Sequence, residues 1–127
     1  AKHPYCAGLW IANTIPWGYP GIDWKALFGT EKSPMESRGF DTPGGLSGPS
    51  CLPFAELRVK QIRAAGVTKP IVAGNGIQKP QDVIRLREAG ADAVAVGSVA
   101  IVRPWLLRAI TRAAITSVQG GTRWRTK

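Results

Sequence analysis

The chain has 127 residues, 44% of them hydrophobic and 20% charged, and a formal net charge of +9. That length supports one compact domain with a modest core, and the composition is that of an ordinary soluble protein. No apolar run approaches the ~20 residues of a membrane-spanning helix, and two cysteines are too few for a disulfide scaffold.

The N-terminal "AKHPYCAGLW" lacks the apolar core of a signal peptide and begins without methionine, which fits a processed chain or part of a longer one. Cys6 and Cys51 have no metal-ligand spacing and the only histidine is His3, so free thiols, a cytoplasmic location and no metal site are expected. Residues 7–12, "AGLWIA", read as a buried strand ending at the polar pair Asn13-Thr14. Residues 15–50 hold seven glycines and five prolines. So long a connection is functional or disordered, and Trp17, Tyr19, Trp24 and Phe28 favour a loop that packs on something, because aromatics are depleted in disordered segments.

A helix is predicted over 53–65, with Ala55, Val59, Ile62 and Gly66 as a stripe and Glu56, Lys60 and Arg63 on the opposite side. Gly66 suits the position after its end. Residues 69–73 form the next strand. Pro80 suits the first turn of a second helix, Asp82 its positive end and Gly90 its stop, with Val83 and Leu86 facing inward. "DAVAVG" is the third strand, and 104–118 the last helix. Residues 93–127 carry six Lys or Arg and no acid, read as a solvated basic helix and a flexible tail over 119–127. A nucleic-acid site would need more than one tail tryptophan, so that partner is disfavoured.

Strands alternating with helices give an α/β fold with a parallel sheet, and nearly all-apolar strands predict that both sheet faces are covered. Ligands of such sheets sit at the carboxyl ends of the strands. Two consecutive strands end there in small residues, at "GNG" (74–76) and at Gly97-Ser98. Glycines permit tight turns and close approach to a ligand, and Asn75 is of a type that tolerates positive φ. Turns of this kind can cradle a phosphate. Two tight strand-to-helix turns without any ligand would leave the same signature.

"IANT", "GGLSGP", "KPIVAGNGI" and "GADAVAVGS" resemble, in the family's order, the C-terminal part of dihydroorotate dehydrogenases and related FMN-dependent barrels. The resemblance runs from about Leu9 to about Trp105. It implies a partial (half) TIM-type βα barrel with three parallel strands and flanking helices, a single half-barrel domain over 1–118, and FMN as cofactor. By the same resemblance Asn13 and Thr14 contact the pyrimidine substrate. Gly45 and Ser47 pack beside the flavin. Asn75 and Gly76 form one half of the phosphate cradle, and Gly97 and Ser98 the other. Asn75 stands where the family has more often a glycine, which would weaken or shift the phosphate if the side chain points at it.

The family's barrel has eight strands in about 250 residues, and its catalytic base lies on a loop of the half with no counterpart here. No catalytic residue is assigned, and stand-alone catalysis is not expected. The implied reaction is the FMN-dependent oxidation of dihydroorotate to orotate. A non-catalytic half-barrel that only binds phosphate and a tRNA dihydrouridine synthase-like flavoenzyme are the alternatives. Three strands cannot close a barrel, so the chain is expected to form a homodimer or higher oligomer, with Trp10, Ile11, Val94 and Val96 at the contact, or to need a missing N-terminal half.

Overall fold

The computed structural model describes residues 3–11 and 13–119. The elements in chain order are β1 (Leu9–Ile11), β2 (Ile15–Pro16), α1 (Trp24–Phe28), β3 (Gly45–Leu46), α2 (Leu52–Ala64), β4 (Ile71–Ala73), α3 (Pro80–Glu88), β5 (Ala93–Val94), α4 (Ser98–Val102) and α5 (Leu107–Gln119), with three 3₁₀ turns between them. The α/β class and the three-stranded parallel sheet match the sequence reading. The order is β1-β4-β5, with Leu9 opposite Ile71 and Val72 opposite Ala93. The basic tail, from residue 120 on, lies outside the described residues.

Parallel neighbours need a crossover, and α2 and α3 supply it on one face of the sheet. Leu52, Ala55 and Val59 of α2, Val83 and Leu86 of α3, Val99 of α4 and Ile110 of α5 bury against Ile11, Ile71 and Ala73. Removing a Leu or Ile from such a core costs about 2–5 kcal/mol. The helix stops follow the glycines: Gly66 and Gly90 take φ of 77° and 111° just past α2 and α3.

Five expectations need correction. The sheet is covered on one face only in the described chain. Successive strand residues point to opposite faces, so Ile11, Ala73 and Val94 face the helices, whereas Trp10, 73% exposed, shares the other face with Val72 and Ala93. For the same reason Ile11 is core and not available to a subunit contact, and Val94 packs against the core from the same side.

Arg63 does not join the solvent face of α2. It is partly buried and donates to the carbonyls of Gly90 (2.9 Å), Val67 (2.7 Å) and Lys69 (2.9 Å) and to the Asp92 carboxylate, whose Oδ2 also accepts from Ile71 N–H (2.8 Å). Loop carbonyls with no ladder partner need donors, and a guanidinium has five.

The 15–50 stretch contains an antiparallel pair, β2 with β3, in which Ile15 faces Leu46 and Pro16 faces Gly45. Above it Trp17 packs on Trp24 (4.6 Å between ring centroids) and Phe28 (5.3 Å), so the aromatics do pack, mainly on each other. The last helix begins later than 104 and is preceded by α4 and by a 3₁₀ turn over Pro104–Leu106. Pro104 lacks the N–H that a continuous helix would use there.

Beside the free edge of β1 runs a groove of about 750 Å³, lined by apolar side chains including Leu9, Ile11, Phe54, Leu57 and Ile62. No helix among the described residues is long and apolar enough to cross a membrane.

Candidate functional site

The carboxyl ends of β1, β4 and β5 lie side by side because the strands are parallel and in register. Everything that follows each strand therefore converges on one edge of the sheet. A cleft of about 380 Å³ opens there. Asn13 and Thr14 enter it from the end of β1, Asn75 and Gly76 from the end of β4, and Gly97 and Ser98 from the end of β5. Ser47 reaches it from the segment after β3. Seven of the eight residues singled out in the sequence thus share one wall-to-wall site, although as many as 85 residues separate them. Gly45 is the exception. It sits in β3 against Pro16, and a β-carbon there would lie 3.0 Å from the Cβ of Thr14. Its close approach serves the β2–β3 pairing that carries Thr14.

The two glycine turns differ in what demands the glycine. Gly76 has φ of 87°, and a β-carbon on it would come within 2.8 Å of Leu52 Cα at the start of α2. Its lack of bulk is required by packing and by backbone conformation. At Gly97 a β-carbon would meet nothing within 4 Å, so the space in front of it belongs to the cleft.

Asn75 takes a φ of 68°, the positive value its residue type suggested. Its side-chain amide is engaged at the rim of the cleft, where Nδ2 donates to the Asn13 carbonyl (2.7 Å). Cys51 donates its thiol to Leu46 O (3.3 Å). Burial pushes the Cys51 thiol above its ordinary pKa, and the Asn75 contact offsets part of that. Raised in this way, Cys51 is a neutral thiol at pH 7 and a poor nucleophile.

Asp82 carries more than a favourable helix charge. It is buried, and its Oδ2 accepts from Gln78 N–H (2.8 Å) and Lys79 N–H (3.1 Å). That closes the turn between Gly76 and α3 and commits two of its amides. Gln78 in turn donates to Ser98 Oγ (3.4 Å), which ties the β4 turn to the β5 turn. Sequence reasoning missed this link, and it missed Trp10 and Ile101 as cleft walls. The alternation in "LWI" could have placed Trp10 on the cleft face.

Among the described residues no charged side chain lines the cleft. Its polar side chains are the amides of Asn13 and Asn75 and the hydroxyls of Thr14, Ser47 and Ser98, set beside Trp10, Val96 and Ile101. Lys79, Arg85 and Arg103 line an adjoining cleft of about 680 Å³ that shares Gly76 and Ser98 with the first. Arg85 is engaged by Glu56 (2.7 Å). Among the described residues no cluster of His, Cys, Asp or Glu could hold a metal ion.

The fold and site define an α/β chain with a parallel sheet, whose strand ends carry an uncharged cleft of mixed polar and apolar lining between two strand-to-helix turns. The comparisons with known proteins agree in kind. Over 70 residues the chain is 43% identical to the "Dihydroorotate dehydrogenase B (NAD(+)), catalytic subunit" of Staphylococcus carnosus, which covers 55% of this chain and 23% of that protein. The corresponding subunits of Halalkalibacterium halodurans (44%) and Listeria monocytogenes (43%) are similar over 63 residues, covering 50% of this chain and 20% of each relative. No protein-family model matches the chain. The resemblance to dihydroorotate dehydrogenases carried by the motifs therefore holds, over about half of this chain and about a fifth of the length of these relatives.

Proposed function

We propose that this chain is a C-terminal half-barrel portion of a dihydroorotate dehydrogenase-like, cytoplasmic flavoprotein, supplying the FMN-phosphate cradle and part of the pyrimidine site. The observation that carries the proposal is the single cleft into which Asn13, Thr14, Ser47, Asn75, Gly76, Gly97 and Ser98 converge. FMN fits the chemistry of that lining: neutral, rich in backbone at two turns, and open in front of Gly97. When bound, the flavin would supply the redox step of converting dihydroorotate to orotate.

The chain's own residues would do the holding. The turns at Gly76 and Gly97-Ser98 would present backbone N–H groups to the phosphate, and Asn13 and Thr14 would present an amide and a hydroxyl to the pyrimidine edge. Ser47 would close the cleft from the β3 side. None of these groups is poised to take a proton, and the buried Cys51 stays protonated. Turnover would need a base from elsewhere, on another chain or on further length of this one.

Titration of the protein with FMN, followed by flavin fluorescence, tests the proposal. Binding is expected in the wild type, and Gly97→Asp, which sets a carboxylate in the open space before the turn, is expected to abolish it while leaving stability within about 1 kcal/mol. Dihydroorotate oxidation by the chain alone is expected to be near background. An unchanged fluorescence in the wild type would reject FMN binding. A turnover like that of full-length enzymes would reject the view that the base is elsewhere.

A further inference from the structure

We propose that Asn75 is a positioning residue: its side chain latches the β4 turn to the Asn13-Thr14 segment and holds that pair over the cleft. The proposal rests on the dihydroorotate dehydrogenase-like reading and deepens it by assigning the determinant of pyrimidine affinity.

Asn75 is the only non-glycine with positive φ among the described residues. Glycine adopts that conformation freely, whereas a β-carbon carries a penalty there. Its neighbours Gly74 and Gly76 are glycines, so the turn itself offers no reason for a side chain at position 75. The side chain's contacts do. Nδ2 donates to the Asn13 carbonyl at 2.7 Å across 62 residues of sequence. One amide thus joins the end of β1 to the end of β4.

The segment that it holds has little else. Gly74 N–H donates to Ile11 O (3.0 Å), and the next tie to the body of the protein is the β2–β3 pairing that begins at Ile15. Between them Asn13 and Thr14 are exposed, and Asn13 Oδ1 is turned back on Thr14 N–H (3.0 Å). Among the described residues the Asn75 bond is the one hydrogen bond that holds this bend from outside, beside the close approach of Gly45 to Thr14. Without it, ligand binding would have to order the bend, and affinity would fall by the cost of that ordering. Phosphate held by the backbone of the β4 turn would not be affected, because glycine keeps the same backbone.

Asn75→Gly and Asn75→Asp in this chain test the latch, with FMN affinity read by flavin fluorescence and orotate affinity by the absorption shift of the bound flavin. Asn75→Gly is expected to keep FMN affinity within about twofold and to weaken orotate about tenfold, the scale of one lost hydrogen bond. Asn75→Asp, which aims a carboxylate at the Asn13 carbonyl, should weaken orotate further. If position 75 serves the turn alone, Asn75→Gly binds orotate as well as the wild type or better, and that result overturns the proposal. Should the wild type bind no orotate, the functional reading fails separately. The latch is then decided without ligand, by amide hydrogen exchange at Thr14 and Ile15: faster exchange in Asn75→Gly supports it and unchanged exchange refutes it.

Discussion

At the scale of single residues, Gly76 and Gly97 look alike in sequence and do different work. Both end a strand at the ligand edge, yet only Gly76 is hemmed in by backbone, with Leu52 of α2 where a β-carbon would go. Gly76→Ala is expected to destabilise the protein by at least about 2 kcal/mol, from the positive φ and the clash together. Thermal denaturation checks this, with Gly97→Ala as the comparison. A melting temperature for Gly76→Ala equal to that of Gly97→Ala would refute the packing account of the β4 turn. Asn75 belongs to the same scale: its backbone conformation is legible from residue type, but the partner of its side chain is 62 residues away.

At the scale of elements, α2 and α3 are braced at the surface by Glu56, which takes Lys60 at 2.6 Å within α2 and Arg85 of α3 at 2.7 Å. The hydrogen bonds from Lys60 and then Arg85 hold the Glu56 carboxyl below its ordinary pKa. A carboxyl with a depressed pKa in the folded state contributes stability that is present above its unfolded pKa and lost as pH falls through the folded one. Exposed pairs are worth ~0.5 kcal/mol. Glu56→Gln is therefore expected to be less stable than the wild type by about that much at pH 7, with the gap closing below about pH 4.3, where an unfolded glutamate protonates. Urea denaturation at pH 7 and pH 3 measures the trend, and a gap no smaller at pH 3 than at pH 7 would assign the loss to packing.

For the molecule as a whole, the sheet has two open edges and one face without helices among the described residues. Trp10, Val72 and Ala93 lie on that face, and the groove beside β1 exposes Phe54 and Leu57 of α2. Ile101, Val102 and Trp105 add exposed apolar surface after β5. Exposed apolar residues in this number on a small chain call for a partner, and strand edges offer backbone groups to one. We propose that a second copy or the remaining strands of a longer chain cover it, with Trp10 and Val96 at the contact and Ile11 behind it in the core. Light scattering on dilute protein is expected to find a dimer or larger. A monodisperse monomer with cooperative unfolding would reject the oligomer.

What the sequence determined by itself was local and periodic. Glycines past α2 and α3, Pro80 at the start of α3 and apolar runs of strand length specify their elements without reference to anything distant, and they placed two turns at the ligand edge. The motif order added Asn13, Thr14 and Ser47, which local chemistry alone would have left as loop residues. The antiparallel β2–β3 pair was not legible, because two-residue strands rich in Gly and Pro carry no period and exist only through their pairing. Arg63 was misplaced for a related reason: helical spacing says which residues share a face, but the loop carbonyls that draw a guanidinium inward come from segments far along the chain. The convergence of seven residues on one cleft, and the latch between Asn75 and Asn13, were decided by the parallel register of three strands, which brings their ends together whatever their separation in sequence.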